Sequence, residues 1–115
     1  MTKKTENKIN EIITQVTGKI SRLECDGATR VLAHLLTRNE IQHSVMVGSA
    51  SMGEIHIPVH YWIVIDGKIL DLKAKMWFGD KATEGIFAGS PVQYNGRAIE
   101  MKTSETVFNI LMRNS

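Results

Sequence analysis

The sequence predicts an α+β fold in which N-terminal helices pack on a mostly antiparallel sheet. Two observations lead there. Apolar residues recur at steps of three and four through roughly the first third of the chain. The remainder carries short β-branched runs, punctuated by Asp66-Gly67 and Asn95-Gly96. The expected order is helix, helix, strand, hairpin, second hairpin, helix, and such an order segregates helices from antiparallel strands.

The first helix is expected from about Thr5 to Leu23, with Ile9, Ile12, Ile13, Val16, Ile20 and Leu23 on one face. Gly18 is a weak helix former, so a kink or an early end is expected there. A second helix spans about Cys25 to Arg38, with Ala28, Val31, Leu32, Leu35 and Leu36 as its buried stripe and Asn39 as its stop. The run IQHSVMVG (41–48) reads as a strand, and SASMGE (49–54) as a polar loop. A long hairpin follows: IHIPVHYWIVI (55–65), the turn Asp66-Gly67, then KILDLKA (68–74). Asp-Gly suits a two-residue hairpin turn because both central residues need positive φ. Pro58 cannot donate to a ladder and places the first half of that strand at an edge or bulge. VQY, Asn95-Gly96 and RAIEM read as a second hairpin. A closing helix starts near Thr103, whose hydroxyl suits a cap, and carries Val107, Phe108, Ile110, Leu111 and Met112.

At 115 residues the chain is expected to be a single domain over 1–115. Hydrophobic residues at 43% and charged residues at 23% form an ordinary globular balance that supports a core. A net charge of +2 is too small to argue for nucleic acid, and Lys73 and Lys75 read as solvated lysines. The apolar runs are too short to cross a membrane. The basic start at Met1–Lys4 is followed by neither an apolar stretch nor a small-residue cleavage site, so a cytoplasmic location is expected. The one cysteine excludes an intramolecular disulfide and leaves Cys25 a free thiol.

Cys25, His60 and Asp71 are the candidate catalytic residues. A cysteine in the first turn of a helix meets unpaired N–H groups and aligned peptide dipoles, which favour the nucleophilic thiolate. A two-residue turn at Asp66-Gly67 pairs Ile65 with Lys68 and Trp62 with Asp71. His60 then lies diagonal to Asp71 on the same face, roughly 7–8 Å away at the backbone and within side-chain reach. A carboxylate there holds the imidazole in one tautomer and turns its other nitrogen to the thiol.

CDGATRVLAHLL opening a helix, followed by HYWIVIDGKILDL in a hairpin, resembles the papain-like superfamily in its compact transglutaminase-like form, over roughly residues 20–78. NlpC-type cell-wall peptidases and arylamine acetyltransferases are similar in the same respect. The resemblance implies a Cys25–His60–Asp71 triad acting in that order and acyl transfer through a thioester, with an amide- or ester-containing substrate, proteins and peptides included. The Cys-Gly-Ser-Cys-Trp surroundings of papain are absent, so its peptidase branch is not indicated. Trp62, Met76 and Trp77 are the candidate substrate-binding residues, the last two in AKMWFGD with Phe78. The Cys25 backbone N–H is a candidate oxyanion donor, while Gln15 lies a whole helix away.

No cofactor is expected. His43, His56, His60 and Cys25 are conceivable zinc ligands, but they follow no ligand-spacing motif, and Pro58 rules out a helical His56/His60 pair. His34 reads as a surface or boundary residue of the second helix. The main rival to an enzyme is a non-catalytic binding module or inhibitor on the same fold.

Overall fold

The computed structural model describes residues 1–19 and 22–113. Helix α1 (Lys3–Thr17) is capped by Thr2, whose hydroxyl accepts the Thr5 N–H, and it ends where Gly18 follows. The expected extension to Leu23 is not formed, because Gly18 is the early stop; Ile20 lies outside the described residues. Helix α2 (Cys25–Arg38) occupies the predicted span and buries the predicted stripe.

Strands β1 (Ser44–Met52), β2 (Ile55–Ile65), β3 (Lys68–Asp71), β4 (Gly85–Phe87) and β5 (Gln93–Ile99) form one antiparallel sheet in the order β4-β3-β2-β1-β5. The short helix α3 (Ala74–Phe78) follows β3, and helix α4 (Glu105–Arg113) closes the chain. Asp66 and Gly67 have φ of 50° and 76°, as the two-residue turn requires. The ladder pairs Ile65 with Lys68, Val64 with Ile69 and Ile63 with Leu70, which is the predicted register. The register between β1 and β2 slips between Gly48↔His60 and Ala50↔Ile57, a bulge around Pro58.

Further expectations are corrected. The arm expected over 68–74 stops at Asp71, with Ala74 opening α3, and the strand expected over 41–48 starts only at Ser44. Residues 49–52 are not loop: Ser49–Met52 continue β1, held on both sides by ladders to β2 and β5 that override their weak strand propensity. Asn95-Gly96 is not a turn but the middle of β5, opposite Gly48 of β1. Gly96 is required there for space. A Cβ on it would sit 2.7 Å from the Trp62 ring and 2.4 Å from the Val47 carbonyl oxygen. The last helix is capped by Ser104 rather than Thr103, since the Ser104 hydroxyl accepts the Val107 N–H.

The sheet has two covered faces. On one, Ile9, Ile12 and Val16 of α1 and the α2 stripe meet Val45, Ile63, Ile65, Leu70 and Phe108. Each fully buried aliphatic side chain in such a core contributes about 1.5–3 kcal/mol. On the other, Ala50 packs with Ala74, Phe78, Ala82 and Val92, beside the half-buried Tyr94. Side-chain alternation puts His60 and Trp62 on this second face, since Ile63 and Ile65 point to the first. Among the described residues no helix is long and apolar enough to cross a membrane.

His34 is more than a boundary residue. Its ring stacks on Phe108 at 4.5 Å, Nδ1–H donates to the Thr103 carbonyl at 3.0 Å, and Nε2 lies 2.8 Å from Glu105. Arg38 also binds Glu105 at 2.7 Å and lies over the Phe108 ring, so α4 is fastened to α2 through these contacts.

Substituting Gly96→Ala should cost about 1–3 kcal/mol through overpacking against Trp62 and Val47. Asn95→Ala, exposed on the same strand, should change stability by no more than about 0.5 kcal/mol. Urea unfolding of the two variants checks this, and equal stabilities would contradict the close approach.

Candidate active site

Cys25 is the first residue of α2, and Glu24 before it supplies no side-chain cap. Within the first turn the Asp26 carboxylate accepts the Gly27 N–H at 2.9 Å, and the Ala28 N–H makes the first intrahelical bond, to the Glu24 carbonyl at 2.9 Å. The Cys25 side chain is mostly covered, at 8% exposure. His60 is fully buried on β2, and Asp71, the last residue of β3, is 3% exposed.

The register extends to place Asp71 across from Trp62, hence diagonal to His60. His60 Nε2–H donates to Asp71 Oδ2 at 2.8 Å. Two further donors fill the carboxylate. The Tyr94 hydroxyl donates to the same Oδ2 at 2.8 Å, and the Lys73 backbone N–H donates to Oδ1 at 2.8 Å. Trp62 stacks near His60 at 6.0 Å between centroids and packs against Tyr94 at 5.0 Å. Tyr94 itself lies 6.1 Å from the imidazole. β3 pairs with β2 only at Ile63–Ile65, so its ladder stops short of His60.

Burial is the largest single influence on the imidazole and pushes its pKa down. The hydrogen bond to Asp71 and the neighbouring Cys25 side chain, with the charges of both, outweigh it and raise the pKa from 6.5 to about 9. Among the described atoms Nδ1 has no hydrogen-bond partner of ordinary geometry. The Cys25 side chain is near enough to act on the ring through both hydrogen bonding and charge. Tyr94 is pushed well above the usual phenol range, chiefly by burial and then by the Asp71 charge beside it.

Of the residues nominated from sequence, the structure gathers Cys25, His60, Asp71 and Trp62. Trp62 is 3% exposed and packs as a wall of the His60–Asp71 pair. Met76 and Trp77 are not part of this cluster; they stand exposed on α3, whose Ala74 and Phe78 face inward. Gln15 is exposed on α1 and borders a surface depression with Asn7, Asn10, Glu11 and Thr14, none of which belongs to the cluster. Lys73, expected to be solvated, is 7% exposed, because its backbone turns inward to cap Asp71. Sequence reasoning missed Tyr94, which the supposed turn at Asn95-Gly96 had assigned to a hairpin. A tyrosine in a strand that faces a covered layer needs an acceptor for its hydroxyl, and Asp71 is that acceptor.

His43 donates Nδ1–H to the Ile41 carbonyl at 2.9 Å, and His56 pairs with the Ser51 hydroxyl at 2.8 Å. Among the described residues no three His, Cys, Asp or Glu side chains come together to hold a metal ion. A broad cleft of about 1110 Å³ lies between the start of α1, residues 39–42 and the Asp66 turn, and shares no lining residue with the Cys25 cluster. Compared with protein-family models, curated proteins and solved structures, the chain matches none.

The raised His60 pKa has a definite sign in stability. The folded protein holds this proton to about pH 9, whereas the unfolded chain releases it near 6.5. The contribution is therefore complete below pH 6.5 and is lost as pH rises through about 9. Ring-proton NMR should show His60 titrating near pH 9, with a lower midpoint in Asp71→Asn. A wild-type midpoint at or below 6.5 would contradict the pairing with Asp71.

Proposed function

We propose that this chain is a thiol-dependent acyl-transfer enzyme, an amidase, peptidase, deamidase or acyltransferase, working through a thioester on Cys25. One observation supports this most. A fully buried imidazole is held by Asp71 through Nε2, and the Cys25 side chain acts on the same ring by hydrogen bonding and charge. A thiol nucleophile needs a base beside it and a group that orients the base, and Cys25, His60 and Asp71 are of those types. The finer reading of the fold as papain-like and transglutaminase-like is supported by element order: a helix-starting cysteine, a strand histidine, and an aspartate closing the next antiparallel strand.

In this mechanism the Cys25 thiol proton already resides on His60, so the reacting form is a thiolate–imidazolium pair. The thiolate attacks the carbonyl carbon of an amide or ester, and the carbonyl electrons move onto oxygen. The backbone N–H at the start of α2 stabilises that oxyanion. On collapse, the bond to the leaving amine or alcohol breaks and the imidazolium protonates the departing group. Water, an amine or an alcohol then attacks the thioester, with His60 now acting as base. Asp71 holds the ring and stabilises its positive charge without itself taking the proton.

A second reading, a binding module that keeps the fold without turnover, is favoured by the coverage of Cys25 at 8% exposure. A small activated ester, p-nitrophenyl acetate, separates the two. The wild type should acquire a thioester-linked acetyl group on Cys25, found by peptide mapping, and Cys25→Ser should not. His60→Ala should slow acylation on the order of 100-fold or more. Asp71→Asn should fall between them, since an amide still orients the ring. Equal acylation rates across wild type, His60→Ala and Asp71→Asn would favour the binding module.

A further inference from the structure

Tyr94 reaches Asp71 from the far edge of the sheet. It is carried by β5, whereas Asp71 lies on β3, with β2 and β1 between them. The crossing is made over small residues. Ala50 lies opposite Tyr94, and Gly48 lies between His60 and Gly96 in the adjacent row. A Cβ at Gly96 would meet the Trp62 ring, and one at Gly48 would meet the Asn95–Gly96 backbone at 2.2–2.8 Å. The rings of Trp62 and Tyr94 thus lie across the sheet onto the His60–Asp71 pair. For a phenol whose hydroxyl only needed an acceptor, nothing requires the bond to fall on Oδ2, the atom that also receives the His60 proton donor.

We infer that Tyr94 is a positioning residue for the chemistry at His60: its hydroxyl locks the Asp71 carboxylate and competes with His60 Nε2–H for the same oxygen, Oδ2. This deepens the proposed acyl-transfer function and takes its purpose from it. A carboxylate oxygen with one donor holds an imidazolium strongly and makes it a reluctant acid. A second donor on that oxygen withdraws part of its charge, so the imidazolium gives its proton more readily to a leaving group. Oδ1 is already held by the Lys73 N–H, so the carboxylate has a fixed rotamer and the competition stays on Oδ2.

The groups that face the pair are the Cys25 side chain from α2, Asp71 from β3, Tyr94 from β5 and Lys73 just after β3. Glu84, before β4, acts on Tyr94 through its charge and accepts the Lys75 N–H at 2.8 Å. The test therefore compares Tyr94→Phe in several backgrounds, following the His60 ring by NMR against pH. In wild type, Tyr94→Phe should move the His60 midpoint upward by about 0.5 pH unit or more, because Oδ2 then serves His60 alone. The same shift is expected in a Cys25→Ser background, where no thiol chemistry exists, so this outcome does not depend on the enzyme reading. In an Asp71→Asn background the effect of Tyr94→Phe should vanish. A folded Tyr94→Phe protein with an unmoved or lowered midpoint would overturn the inference, and so would a shift that persists undiminished in Asp71→Asn. Should Tyr94→Phe fail to fold, Ala50→Val, which lifts the ring from its small-residue bed, should give the same upward shift, and no shift there would overturn the inference. Failure of Cys25 acylation in wild type, with the Tyr94 shift intact, would instead count against the acyl-transfer reading alone.

Discussion

Burying a carboxylate costs several kcal/mol unless its oxygens find donors, and Asp71 finds three. They come from three places: the ring of His60 on β2, the hydroxyl of Tyr94 on β5 and the backbone N–H of Lys73 at the exit from β3. The rest of the second sheet face is arranged around this arrangement of bonds. Trp62 closes over it, Gly96 makes room for its ring, Gly48 makes room for the β5 backbone, and the chain turns into α3 just after the carboxylate is capped. Removing any one donor would leave a buried acceptor with less compensation, which ties the stability of this layer to the geometry of the candidate site.

The two faces of the sheet divide the labour. The face under α1 and α2 is aliphatic and supplies most of the apolar burial. The other combines a small alanine-rich cluster with a polar and aromatic group, which alone would bury too little to hold a fold of this size. The strong face therefore bears the cost of a polar one. Cys25 belongs to the helical side by its helix and acts on His60, whose ring lies on the other side.

Two of the elements that frame the site depend on what glycine is doing. Asp66-Gly67 uses positive φ to turn the chain, and this sets the His60–Asp71 diagonal. Asn95-Gly96 has the same appearance in sequence, yet Gly96 lies in extended backbone and serves by having no side chain. The dipeptide does not distinguish these roles. The distinction arises from strand partners: β5 has β1 alongside it, and the backbones of Gly48 and Gly96 approach too closely for any Cβ.

Local information in the sequence was enough for the existence of both N-terminal helices, the turn and register of the long hairpin and the elements that carry Cys25, His60 and Asp71, because periodicity and a two-residue turn act over a few residues. It was not enough for β4, for the extension of β1 through Ser49–Met52, or for β5 as one strand. Those segments have weak propensities and become strands only because a partner is already in place. Tyr94 is the sharpest case. It is 23 residues from Asp71 in the chain and separated from it by two strands in the sheet, so nothing local marks it. Only the tertiary structure, by laying Gly48 and Ala50 of β1 between β5 and β2, brings its hydroxyl onto the oxygen that holds the imidazole.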